Sequence, residues 1–188
     1  DPLDHKNYIF DLKFDNNTKK VLNKNITINN SYWAIPWKTS GGSCVAIYPL
    51  NEKNRVKPKF GKVRGHKEQI SCLDLSPHNE SLLATGTNHG IVHIYQLPIP
   101  AKILDQDIDI PIIKLQTTGK ISRIIFHPYI KDCIVTSSID YNHQATLIFW
   151  SLDINNKTYK KEIIIDNIHN DLILDINFIA SNCNIIAT

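Results

Sequence analysis

Methionine is missing altogether from the 188-residue sequence, which opens on Asp1-Pro2-Leu3-Asp4. A chain without an initiator residue is expected to be a piece of a longer protein. Nowhere does it hold the roughly 18 consecutive apolar residues of a membrane-spanning helix, and its first residues lack the basic-then-apolar order of a secretory signal. It therefore reads as soluble and cytoplasmic. Four cysteines, Cys44, Cys72, Cys133 and Cys183, are scattered with no C-x-x-C pair, which argues against a zinc site or a redox motif and for free thiols in a reducing compartment. Strong charge of either sign is absent too: 21 Lys and Arg against 18 Asp and Glu leave +3. That is far from the field of a dedicated nucleic-acid binder, so no nucleic acid is expected as a partner. No phosphate-cradling glycine loop, nucleophile elbow or H-E-x-x-H is found. Neither a cofactor nor catalysis is expected.

What is present is an ordinary globular balance, 42% hydrophobic and 21% charged, with enough apolar mass for a core. Short β-branched and aromatic runs recur between Gly, Pro, Asn and Ser clusters, and no segment sustains a 3.6-residue apolar period. The expectation is an all-β chain with strands over Cys44 to Leu50, Ile70 to Leu75, Ser81 to Thr87, Ile91 to Leu97, Ile121 to Phe126, Cys133 to Ser138, Thr146 to Leu152 and Leu172 to Phe178.

These strands repeat. Ser76-Pro77 and His127-Pro128 are 51 residues apart, and Phe126 and Phe178 are 52 apart. In each unit an apolar strand, a polar turn, a strand rich in Ala, Thr and Ser, a tight turn and an aromatic-ended strand follow in order. Gly65-His66, Ile70 to Leu75, Leu82 to Thr87 and Ile91 to Gln96 make the G-H…W-D layout of a propeller blade, with Tyr95-Gln96 in the Trp-Asp place. The fold class is therefore a WD40 β-propeller, with a first blade region over 1–64 that includes the turn Ser40-Gly41-Gly42-Ser43. A WD repeat over 65–114, a second over 115–166 with an insertion around Tyr141 to Gln144, and a truncated repeat over 167–188 complete the division. At roughly 40 to 45 residues per blade the chain holds about four of an expected seven, so the remainder of the propeller is needed for ring closure.

Taken in order, Leu75-Ser76-Pro77-His78-Asn79, Tyr95-Gln96-Leu97-Pro98, Ser40-Gly41-Gly42, Phe126-His127-Pro128 and His169-Asn170-Asp171-Leu172-Ile173 resemble the N-terminal half of the coronin propeller. The likeness runs from Tyr32 to Thr188 and is weaker over Asn7 to Asn30. The Asn-, Ile- and Lys-rich stretches look like an apicomplexan-like protist. The resemblance implies a seven-bladed propeller that binds filamentous actin and helps organise the cytoskeleton, with a C-terminal extension and a short coiled coil. It also implies a basic segment ahead of the propeller with an actin-contacting arginine, for which nothing before Asp1 stands as a counterpart. A generic WD40 scaffold or adaptor with no actin role is the alternative.

The same layout singles out candidate residues. His66 occupies the place of the histidine that bonds within a blade to a strand Ser/Thr, a turn Asp and the Trp; here Thr87, His89 and Tyr95 are assigned to those places. In the next repeat Thr118 replaces the histidine and Trp150 remains, and His169 opens the last one. These read as structural residues, since buried polar groups need partners. Asp74 and Asp175 are taken as equivalent blade positions. His89 and His93, four apart on a strand, would lie roughly 13 Å from one another, too far to share a metal ion. The densest positive run, Lys53 to Lys59 continued by Lys62, Arg64 and Lys67, supplies Arg55, Lys57, Lys59, Lys62 and Arg64 as candidate contacts to an acidic filament surface or to acidic lipid headgroups. A solvated loop between blades is the plain alternative.

Overall fold

The inner strands are rich in apolar residues because both of their faces are buried. The structure is a computed structural model that describes residues 9–13, 26–37, 39, 43–56, 59–179 and 185–187. Every regular element among them is a strand. β1 (Ile9–Phe10) pairs in parallel with β5 (Asn54–Arg55). Between them β2 (Thr27–Ile28), β3 (Tyr32–Trp37) and β4 (Cys44–Pro49) form an antiparallel first sheet. The second sheet is β6 (Ile70–Leu75), β7 (Leu82–Thr87), β8 (Ile91–Gln96) and β9 (Ile113–Gln116). The third is β10 (Lys120–Phe126), β11 (Cys133–Ile139), β12 (Ala145–Asp153) and β13 (Thr158–His169). β14 (Asn177–Ile179) and β15 (Ile185–Ala187) pair beyond it.

Within each of the three larger sheets every strand bonds to the next along the chain, and apolar layers alternate with the sheets. Tyr32, Ala34, Val45 and Ile47 meet Leu73, Leu75, Leu83 and Tyr95 between the first two sheets. Val92, Ile94 and Leu115 meet Ile121, Ile134, Ile148 and Trp150 between the second and third. Val135 and Leu147 meet Ile173 and Ile176 on the far side of the third. Alternate side chains of one strand thus feed opposite layers, so β3, β4, β6 and β7 are buried at every position. The chain is part of a β-propeller, as the repeat spacing implied.

Most expected strands fall within a residue of their expected bounds. Leu172 to Phe178 does not, because only Asn177–Ile179 is strand. Asp171 and Asp175 turn their carboxylates onto the backbone N–H groups of Leu172 and Ile176 at 2.7 and 3.0 Å, and Arg123 takes the Leu174 carbonyl. Those local bonds compete with a ladder. The outer strands β9 and β13 lay outside the expected set.

Two devices lock neighbouring sheets. Asp74, 6% exposed, accepts the Thr27 hydroxyl at 2.8 Å and the Phe126 N–H at 2.9 Å, joining the innermost strands of all three sheets. It is not the equivalent of Asp175, which is exposed and lies 3.6 Å from the Arg123 guanidinium. Farther out, residues 97–112 leave the second sheet after β8 and cross to the first. There Val63 bridges Val45 on one side and Ile108 on the other, and Gly61 N–H donates to Leu104 O at 2.6 Å. Gly61 and Gly65 are required by this clasp: an added Cβ would lie 2.0 Å from Gln106 O and 2.1 Å from Asp109 O respectively.

Replacing Asp74 with Ala leaves a buried N–H and a buried hydroxyl without their charged acceptor. A loss of about 3 kcal/mol is expected, with Asp74→Asn losing roughly half. Gly61→Ala should lose about 2 kcal/mol or more by pushing residues 104–107 off the first sheet. Urea midpoints of the three variants check both values.

Candidate functional site

The polar network expected around His66 exists with altered membership. His66, in the connection from the first sheet to the second, places Nε2 2.7 Å from Thr85 Oγ1 and 3.4 Å from the Tyr95 hydroxyl. Thr85 thus holds the place given to Thr87. Thr87 instead accepts the Ile91 N–H at 3.3 Å and closes the β7–β8 turn. Side chains on β7 alternate, so a two-residue error keeps the face and moves the contact about one repeat along the strand. His93 joins the cluster, its ring edge-on to His66 at 5.1 Å, while His89 is exposed in the turn. With no carboxylate from that turn, His66 Nδ1 is buried without a hydrogen-bond partner, as is His93 Nδ1. The sequence carried the signal for His93, since it stands two residues before Tyr95 and so shares its face.

Burial shapes the acid–base behaviour. It drives His66 down to about 3, with nearby His93 adding to the effect, and it lowers His93 as well. Burial raises the Tyr95 hydroxyl, helped by Asp109, and pushes the Cys72 thiol up to about 12. Neutral, desolvated groups of this kind belong to a packed blade.

In the third sheet Trp150 Nε1–H donates to Thr136 Oγ1 at 2.9 Å, and Thr136 stands 51 residues after Thr85. Thr118 is exposed; the buried residue there is Thr117, whose hydroxyl donates to Gly90 O at 3.2 Å. His169 is exposed at the end of β13, opposite Ala145.

The described cations of the basic run differ in their surroundings. Lys62 is 9% exposed; its ammonium lies 4.0 Å from the Phe60 ring centroid and donates to Phe60 O at 3.1 Å. Its charge is solvated by ring faces and a carbonyl, and burial lowers its pKa. Arg64 pairs with Asp107 at 2.7 Å, and the second oxygen of that carboxylate accepts the Lys62 backbone N–H at 2.7 Å. Both cations therefore serve the clasp. Lys59 is exposed and Arg55 lies on β5. Lys57 and the turn residues Ser40, Gly41 and Gly42 fall outside the described residues.

Alternating strand direction sorts the connections. Those from first to second and from third to fourth strand leave at one end of the blades, the others at the opposite end. Asn29 Nδ2 bonds the Ser76 and Glu80 carbonyls at 3.1 and 3.2 Å, which aligns the first two sheets. Among the described residues, the connections that leave their strands at 50, 76, 97 and 127 thus start at one end, and Lys59 belongs to the first of them. Residues 88–90 and 140–144 occupy the other.

A domain of unknown function, DUF1899, matches residues 1–55, and it stands at the N-terminus of coronins. The match begins ahead of Tyr32, where the stronger likeness to coronins starts. A coronin-like protein of Saccharomyces cerevisiae is 28% identical over 133 residues, covering 66% of this chain and 20% of its own length. Villidin of Dictyostelium discoideum is 29% identical over 153 residues, covering 80% of this chain and 8% of its own. The WD40 domain of Toxoplasma gondii coronin superposes with a TM-score of 0.67 at 24% identity, covering 84% of this chain and 39% of that one.

The chain is similar to coronins of several species over much of its length. It carries part of a WD40 propeller. It spans at most 30% of the length of the curated relatives cited here and of bovine coronin-2A. Against the WD layout, this blade network lacks the turn aspartate, carries Tyr95 in the place of the tryptophan and gains His93.

That exchange has a pH signature. A folded-state pKa below the unfolded one means His66 stabilises fully above pH about 6.5 and loses that stability as pH falls toward 3. At pH 5 the loss is expected to be about 2 kcal/mol. Urea unfolding at pH 7.5 and 5 measures it, and the difference should shrink in His66→Gln.

Proposed function

We propose that this chain is the propeller segment of a protein that binds filamentous actin and helps organise the cytoskeleton of the cytoplasm. The observation that carries the reading is homology to coronins, the family whose resemblance implies filament binding. Blades locked by Asp74 and by the clasp form a rigid platform, so loops at either end are presented without a large ordering cost on association. Arg55, Lys57 and Lys59 are the cations offered to an acidic filament surface. Lys62 and Arg64 hold the base of that loop in place. Binding of this kind is steered by charge and weakened by salt, because the screening length is only about 8 Å at physiological ionic strength. The rest of the propeller, which the longer relatives have room for, closes the ring and adds its own surface.

Filament co-sedimentation of the full-length protein tests the reading. Binding should weaken as salt rises, and R55E/K57E/K59E should lower affinity about tenfold and flatten the salt dependence. Unchanged pelleting of that variant would remove the three cations from the contact. Lys62→Glu, by contrast, should lower the melting temperature, since it buries a carboxylate against aromatic faces.

A further inference from the structure

The second and third sheets build the same turn and then decorate it differently. Ser76 Oγ accepts the His78 and Asn79 N–H groups at 3.3 and 3.1 Å. In the third sheet His127 Nδ1 accepts the Tyr129 and Ile130 N–H groups at 3.1 and 2.9 Å. His127 is 3% exposed, with its ring 4.3 Å from that of Phe178. Either cap fixes the backbone, yet the tip changes from His78-Asn79 to Tyr129-Ile130, and these two side chains are 64% and 55% exposed.

A single exposed apolar residue is normal on a protein surface. Here two adjacent ones sit on a turn whose shape is set by a buried side chain, so they gain nothing for the fold and lose little entropy on being covered. A rigid tyrosine beside an aliphatic residue is the composition of an interface anchor. The turn lies at the same end of the blades as Lys59, and Lys131 follows it exposed. The other end has its own exposed aromatic, Tyr141 at 97%, on a loop held by Asp140 Oδ1, which accepts the Asn142 and Gln144 N–H groups at 2.8 and 2.9 Å. Among the described residues that end carries the exposed Lys67, close to the 88–90 turn through the bond from Asn88 N–H to Gln69 O, but no run as dense as Lys53 to Lys59.

We infer that the Tyr129–Ile130 turn is an apolar anchor of this propeller on the actin filament, acting together with the cationic loop at the same end. The inference rests on the filament-binding reading above and adds to it which end of the blades faces the filament. Cations steer the approach; the turn supplies the desolvated contact that slows release.

The test uses the full-length protein in filament co-sedimentation, with thermal melting as the check on folding. Y129H/I130N transplants the tip that the second sheet already carries on its own capped turn, so the fold should tolerate it. Affinity is expected to fall about tenfold with the melting temperature and the salt dependence both kept, whereas Tyr141→Ala should bind as the unaltered protein does. Equal pelleting of Y129H/I130N and the unaltered protein overturns the inference while leaving filament binding intact. Loss of binding in Tyr141→Ala instead overturns it by placing the filament at the opposite end. Failure of the unaltered protein to pellet brings down the function and this inference together. Should the double variant melt lower, Ile130→Asn alone carries the same comparison.

Discussion

One buried carboxylate ties the sheets together. Asp74 takes a hydroxyl from the first sheet and a backbone N–H from the third, so three innermost strands meet at two oxygen atoms. A propeller blade has no core of its own; each sheet is buried only by its neighbours. Apolar layers supply most of the attraction but little direction. A charged acceptor with fixed donors on both sides sets the relative height of the strands, and with it the register in which the layers interdigitate.

The periphery is governed by a second constraint of the same kind. Residues 97–112 return from the second sheet to lie along the first, and the Asp107 carboxylate receives the Lys62 backbone and the Arg64 guanidinium. The Lys62 ammonium is withdrawn from solvent against the Phe60 ring, and the exposed Arg64 is engaged by Asp107. The clasp also leaves the neighbouring loop, with Lys59, anchored at its base. Inner bridge and outer clasp together give loops that differ in chemistry but share a stiff support, which is what a surface that binds through its loops requires.

Conservation of role within the chain is more informative than conservation of residue type. Ser71 and Ser122, 51 residues apart, both donate to carbonyls of the adjacent strand, at 3.2 Å to Gly86 and 3.4 Å to Ser137. Thr85 and Thr136 each receive the ring of their blade, a histidine in one and a tryptophan in the other. Ser76 and His127 cap the same turn with different atoms. The backbone fixes what must be satisfied, and any side chain with an acceptor at the right distance satisfies it. Where no acceptor was supplied, as at His66 Nδ1, the group stays neutral and the blade becomes sensitive to acid.

Local pattern determined most of the inner strands, their order and the blade repeat, because the short β-branched and aromatic runs and the 51-residue spacing are properties of the chain itself. The face occupied by His66, Tyr95 and Trp150 was readable for the same reason. What only the tertiary structure decided are contacts between segments far apart in sequence. Lys62 turns inward because the Trp37 and Phe60 rings surround it, Gly61 is needed because residue 106 crosses above it, and β13 forms on an exposed edge where no apolar alternation announces it. A lysine in a basic run and a glycine in a loop look alike whether they meet water or a neighbouring strand, and the strand that settles the matter is brought there by the fold.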